Sequence, residues 1–252
     1  MLADLHIHPS FSIDAQGELE DYIKVAIEKG LSQICFTTHL DLEPSRKAID
    51  RFIRLNGKIV YADKENIREY VRRVKGISLK YRGKIDVRVG LEIGWSVDAR
   101  KEIEDFLRDV EIDLRIGSVH IIDGIAITSS KEAVPFLRKH GIEHIAGLYY
   151  ENLVEAARSG LFDVLGHIDG YKKYTRLAFP SGPYEYRDEK LIAKLLSECL
   201  KHNLIFELNT SATLKGHNEF YPSRWILELA IESGIKKISL GSDSHSPRFV
   251  GN

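Results

Sequence analysis

The stretch "ADLHIHPSFSID", residues 3–14, alternates apolar and polar side chains almost from the first residue. Successive side chains alternate across a strand, so its apolar-polar alternation puts Asp4, His6 and His8 on one side of any strand formed there. A strand that gives one whole face to ionisable groups is not built only to fill a core. Similar β-rich runs recur as "SQICFTTH" (32–39), "DVRVGLEIG" (86–94), "DLRIGSVHII" (113–122), "FDVLGHID" (162–169), "NLIFELNT" (203–210) and "KKISLGSDSH" (236–245). Helical patterns fill much of the space between them. In "GELEDYIKVAIEKG" (17–30), Leu19, Tyr22, Ile23, Ala26 and Ile27 form an apolar stripe that Gly30 stops, and "YRDEKLIAKLLSECLKHN" (186–203) puts Leu191, Leu195 and Cys199 on one side. Strands alternating with helices predict a parallel α/β sheet, and about seven such units favour closure into a barrel over an open doubly wound sheet.

Composition limits the function. With 36 Lys+Arg against 37 Asp+Glu the net charge is -1, so no overall attraction to nucleic acid or anionic membrane is expected. The 252 residues, 43% of them hydrophobic, fit one domain spanning 1–252, with no linker, low-complexity tract or repeat to divide them. Segments 40–62 and 170–185, the latter with "AFPSGP", read as loops or insertions. Cys35 and Cys199 lack CxxC spacing and read as buried free thiols in a reducing compartment. No apolar run reaches the roughly 18 residues of a membrane span, and the candidate site begins at Asp4, so a cytoplasmic location is expected.

Followed to their carboxyl ends, nearly all the strands finish in metal-ligand types. These are His6 and His8, then His39, Glu92, His120 and His167, and finally Asp243 and His245. In a parallel barrel those ends share one rim, where active sites are built. Neutral imidazole mixed with carboxylate suits zinc, manganese and iron(II) in hydrolytic sites. With Asp14 added, the candidates exceed the about four to six ligands one ion takes, so more than one metal is implied. Asp4 is expected to orient a ligand. His140, His144, His202 and His217 lie in helical or loop-like stretches and read as surface residues.

The motifs "DLHIH" (4–8), "TTH" (37–39), "GLEIG" (90–94), "GSVH" (117–120), "GHID" (166–169) and "GSDSH" (241–245) together resemble the polymerase and histidinol phosphatase (PHP) family, and within it the stand-alone histidinol-phosphate phosphatases. The resemblance runs from Asp4 to His245 and implies a distorted (β/α)7 barrel holding three divalent ions (Zn, Mn or Fe). One ion would take His6, His8, Glu92 and Asp243; Glu92 would bridge to a second held by His120 and His167; a third would take Asp14, His39 and His245. Glu92, Asp243 and His245 are then the catalytic candidates. The implied reaction is hydrolysis of a small phosphomonoester, histidinol phosphate foremost. Paired ions lower the pKa of a shared water from about 15.7 toward about 7, and the resulting hydroxide would attack phosphorus. Lys172, Arg176 and Arg248 are the candidate phosphate-binding cations. Asp41 or Glu43 would face the substrate's ammonium and imidazole. Other phosphomonoesters are alternative substrates, and a nuclease is disfavoured by the charge balance.

Overall fold

The computed structural model describes residues 2–252, so of the expected domain 1–252 only Met1 lies outside the described residues. Eleven strands appear in chain order: β1 (Ala3–Ile7), β2 (Gln33–Asp41), β3 (Phe52–Leu55), β4 (Lys58–Tyr61), β5 (Asp86–Gly94), β6 (Leu114–Ser118), β7 (Ile121–Ile122), β8 (Ile125–Ala126), β9 (Val164–Leu165), β10 (Ile205–Asn209) and β11 (Ile238–Gly241). The helices are α1 (Leu19–Glu28), α2 (Lys64–Lys80), α3 (Arg100–Asp109), α4 (Ser130–His140), α5 (Ile142–Ser159), α6 (Thr175–Ala178), α7 (Glu189–Lys201) and α8 (Arg224–Glu232).

Seven strands form one sheet in the order β1-β2-β5-β6-β9-β10-β11, and every pairing in it is parallel. All seven are the runs expected from the sequence. The long β2–β5 register sets His39 directly beside Glu92, which fixes the middle of the rim. The two outer strands then meet. Ile7 bridges Ser244 in parallel, and the His8 amide donates to the Ser244 carbonyl at 2.8 Å. The result is a seven-stranded, nearly closed barrel, distorted where β9 is only two residues long.

Asp4 seals this junction. Its carboxylate accepts from the Ser242 amide (2.9 Å), the Ser242 hydroxyl (2.5 Å) and the Gly251 amide (2.8 Å). Asp4 Oδ1 also accepts from the His6 amide at 3.4 Å, so the orienting contact expected of Asp4 is made to the backbone of a ligand while the carboxylate holds the end of the chain to β1.

Amphipathic helices bury their apolar faces against the barrel, as with Tyr22, Ile23 and Ala26 of α1 and Ile192, Leu195 and Cys199 of α7. Ile27, expected on the α1 stripe, is instead 38% exposed at the helix end. Cys35 and Cys199 are both buried and free. No helix among the described residues is long and apolar enough to cross a membrane.

Segment 40–62, read as a loop, contains the β3–β4 hairpin. Its turn is Asn56-Gly57, both at positive φ (52° and 74°), the pair that a two-residue turn matching strand twist demands. Asp123-Gly124 (51° and 74°) does the same for β7–β8. Segment 170–185 holds a 3-10 turn at Gly170–Tyr174 and the one-turn α6, then runs on without regular structure.

Candidate metal centre

The carboxyl ends of the barrel strands surround a cavity of about 390 Å³ whose lining includes Asp14, His39, Glu92, His120, His167 and Asp243. Glu92, on β5 and 1% exposed, stands at its centre. Its Oε1 lies 2.9 Å from His167 Nε2 and 3.1 Å from His120 Nε2. Its Oε2 lies 3.4 Å from the Nε2 atoms of both His6 and His8 and 2.9 Å from His39 Nδ1. Asp243 Oδ1 completes the first group at 3.3 Å from His8 Nε2 and 3.8 Å from His6 Nε2. At the open side, Asp14 Oδ2 is 3.2 Å from His245 Nε2 and Asp14 Oδ1 is 3.7 Å from His39 Nε2, while the two imidazole Nε2 atoms are 3.3 Å apart.

Those separations are informative. Ligands placed about 2.1 Å from one ion in a tetrahedron lie about 3.4 Å from each other, so the first group already has the size of a coordination shell. His6 Nε2, His8 Nε2, His39 Nδ1 and Glu92 Oε2 are also buried without a hydrogen-bond partner. Buried polar atoms are almost always satisfied, and four orphans converging on one point fit a cation. Four tight clusters of ligand-type atoms recur around it: His6, His8 and Asp243; Glu92, His120 and His167; His8, His39 and His245, which Asp14 approaches; and His39, Asp41 and His120. The residues present fit divalent metal.

The imidazoles' other nitrogens are anchored by the protein, which selects the nitrogen facing inward. His8 Nδ1 meets Ser12 Oγ at 3.3 Å, His120 Nδ1 meets Asp41 Oδ1 at 2.9 Å, His167 Nδ1 meets Tyr149 OH at 3.1 Å and His245 Nδ1 donates to the Asp243 carbonyl at 2.9 Å. His6 Nδ1 is 2.6 Å from Glu207 Oε1.

Electrostatics divide the imidazoles. Burial opposes charge on His6, but the carboxylates of Glu207, Glu92 and Asp243 hold it well above the usual histidine range. His120 is likewise raised against its burial, by Glu92 and Asp41. His8 is pushed well below by burial and by the charge on His39 and His245. Burial works against ionisation of Glu92 and Asp243, yet His120 and His6 hold Glu92, and His6 and His8 hold Asp243, well below the carboxylate range.

All nine expected ligands therefore meet at one rim. The expected phosphate cations do not. Lys172 is 4% exposed and closed in an ion pair with Asp169 (2.5 Å) and a bond to Ser223. Arg176 lies flat on Tyr184, 4.3 Å from the ring centroid, and exposed Arg248 lies on Phe249. None of the three lines the cavity; Lys173 does, and it makes no ion pair among the described residues. Glu43 accepts from Ser45 through Oε1 and does not line the cavity, and Asp41, though it lines the cavity, orients His120. His217 is corrected too. It is only 9% exposed because Tyr221 bridges back to Asn209 and folds the intervening loop over the barrel end. The sequence reading missed Glu207, on a strand whose end carries no ligand.

A parallel barrel with imidazoles and carboxylates caged at its C-terminal rim defines a divalent-metal barrel protein. Within that class, residues 4–211 match the PHP domain model, and the chain belongs to the PHP family. It is 32% identical over 253 residues to a Deinococcus radiodurans protein named "Probable histidinol-phosphatase", covering 99% of this chain and 88% of that one. The crystal structure of hisK from Listeria monocytogenes superposes with a TM-score of 0.83 at 21% identity, covering 99% of this chain and 97% of the other. The Lactococcus lactis histidinol phosphate phosphatase, solved with zinc, L-histidinol and phosphate, has a TM-score of 0.68 at 22% identity and covers 98% of this chain and 87% of that one.

Proposed function

We propose that the protein hydrolyses L-histidinol phosphate to L-histidinol and phosphate, using three divalent ions, zinc, manganese or iron(II). The observation that carries the proposal is the cage itself, with eight ligand-type side chains around the buried Glu92 carboxylate and unpartnered atoms of His6, His8, His39 and Glu92 meeting inside it. A relative over nearly the whole chain bears the histidinol-phosphatase name, and a related structure binds zinc, L-histidinol and phosphate together.

In this reading His6, His8, Asp243 and Glu92 would hold one ion, Glu92 with His120 and His167 a second, and Asp14, His39 and His245 the third. When bound, the ions supply Lewis acidity, lowering the pKa of water and offsetting charge on the phosphoryl oxygens. The chain's residues do the rest. Glu92 and Asp243 stay ionised and fix the spacing. His245, with 29% of its side chain exposed at the open side and its Nδ1 proton donated to the Asp243 carbonyl, would present Nε2 to the third ion beside the place where the ester enters. Lys173, which lines the cavity 5.9 Å over the Tyr174 ring and makes no ion pair among the described residues, would neutralise the phosphate from outside the ligand shell. The two buried free thiols accord with a reducing, cytoplasmic setting.

Phosphate release by the purified, zinc- or manganese-loaded protein, measured against histidinol phosphate and a panel of nucleotides, sugar phosphates and phosphotyrosine peptide, tests this. Histidinol phosphate should give the highest kcat/KM. Faster turnover of another ester, or of nucleic-acid ends, would overturn the substrate; no release at all would overturn the activity.

A further inference from the structure

Glu207 is a residue of β10, fully buried, that touches neither the cavity nor solvent. A carboxylate in such a position is costly unless both oxygens are hydrogen-bonded. Here they are. Oε1 faces His6 Nδ1 at 2.6 Å, and Oε2 accepts from the His167 amide at 2.6 Å and from Asn209 Nδ2 at 3.2 Å. His6 belongs to one proposed ion and His167 to the next, so one side chain links the supports of two sites.

The two contacts do different work. As an acceptor, Oε1 requires a proton on His6 Nδ1 and leaves the Nε2 lone pair pointing at Glu92 and Asp243. Oε2 acts on backbone. His167 has φ of 26°, a left-handed conformation that strains a non-glycine residue, and its peptide groups are clamped on both sides: its amide by Glu207 and its carbonyl by Tyr149 OH at 2.7 Å. That strained turn aims His167 Nε2 at Glu92.

The surroundings are cut to admit the carboxylate. A Cβ at Gly241 would collide with Glu207 Oε1 and lie 2.6 Å from His6 Cβ. A Cβ at Gly166 would lie 2.5 Å from Ser118 Oγ and 3.4 Å from Glu207 Oε2. The glycine opening "GSDSH" therefore makes room for Glu207, whereas the one opening "GHID" makes room for Ser118 and leaves Glu207 in ordinary contact.

We propose that Glu207 is a positioning residue that holds the ligands of two metal ions in register, fixing the His6 tautomer with one oxygen and the strained His167 backbone with the other. The proposal rests on the metal centre described above. Glu207→Gln tests it sharply, because the amide has one acceptor atom where donors stand on both sides. With its NH2 toward His167 the amide opposes another donor; with its NH2 toward His6 the ring must move its proton to Nε2 and lose the ligating lone pair.

Zinc per chain and zinc affinity by chelator competition are measured on the full-length wild type and the variant, with a thermal melt of each metal-free form. We expect a cooperative melt and a zinc affinity lower by about 10- to 100-fold, with fewer than the wild-type number of ions retained. Full occupancy with affinity within twofold of wild type would overturn the assignment of Glu207 alone. A wild type that bound no zinc would overturn the metal centre and this assignment with it. Should Glu207→Gln fail to fold, nitrogen NMR of histidine-labelled, zinc-loaded wild type decides instead. A proton on His6 Nδ1 supports the proposal, and a proton on His6 Nε2 refutes it.

Discussion

Replacing Glu92 by Gln leaves the side chain's shape intact and removes one negative charge from the point where the ligand groups meet. Glu92 Oε1 lies 2.9 and 3.1 Å from two imidazole nitrogens and Oε2 lies 2.9 to 3.4 Å from three more. Whichever way the amide turns, its NH2 points at one set and turns a ligand into a donor. At an effective dielectric constant of about 20, a unit charge pair about 4 Å apart is worth about 4 kcal/mol. An ion of charge two doubles that, and the remaining amide oxygen returns part of it, so a net loss of about 4 kcal/mol per bridged pair is a cautious value. That corresponds to roughly a thousandfold in metal affinity at about 1.4 kcal/mol per decade. The assay is metal per chain by mass spectrometry alongside phosphate release from histidinol phosphate. We expect loss of at least one ion and a kcat lower by about three decades, with a melt that remains cooperative. Full metal content with turnover within threefold of wild type would refute the bridging role.

Lys173→Ala should raise KM and weaken inhibition by inorganic phosphate by about tenfold, the scale of one charge-assisted contact; Arg248→Ala, which alters a cation lying on Phe249, should leave both unchanged, and the reverse pattern would return the phosphate to Arg248. Asp4→Asn presents an NH2 to donors that now bond a carboxylate, so the β1–β11 junction should lose about 3 kcal/mol, read as a drop of about 6–12 °C in Tm; an unchanged melt would show that the junction does not depend on that charge. In the metal-free chain, His6 and His120 are held above the ordinary histidine range, so their contribution to stability is full below about pH 6.5 and is lost as pH rises through the raised values. Metal binding has the opposite sign, since those protons must leave. Zinc affinity by chelator competition between about pH 6 and 8 should therefore fall on acidification by up to about two decades per unit, and a flat profile would exclude His6 and His120 as ligands.

The barrel was legible because the parallel strands are short β-rich runs, most of them largely buried although β11 leaves Ile238 and Leu240 exposed, and such runs stand out against amphipathic helices. The hairpins were not read, although Asn56-Gly57 and Asp123-Gly124 are strong turn signals, because strands of two to four residues with Arg54 or Lys58 among them carry little periodicity. Lys172 shows a different limit. It stands beside "GHID" in sequence and reads as a cation at the rim, but the 3-10 turn at Gly170–Tyr174 brings it back onto Asp169, three residues earlier. His217 looks exposed until the Asn209–Tyr221 bridge closes its loop.

The ligand candidates were legible for a reason that excludes their supports. A ligand's type follows from the ion, and its place follows from the end of its own strand, so both can be read locally. A support's type depends on which nitrogen of a distant imidazole remains free, and its place depends on strand order. Glu207 illustrates this: "NLIFELNT" ends without a ligand, and only the order β9-β10-β11-β1 brings its carboxylate between His167 on one side and His6 on the other. The strand end that looked empty of function is the one whose side chain reaches His167 after β9 on one side and, past β11, His6 of β1 on the other. Its silence in the sequence follows from the geometry: a group that serves ligands carried by other strands leaves no pattern on its own.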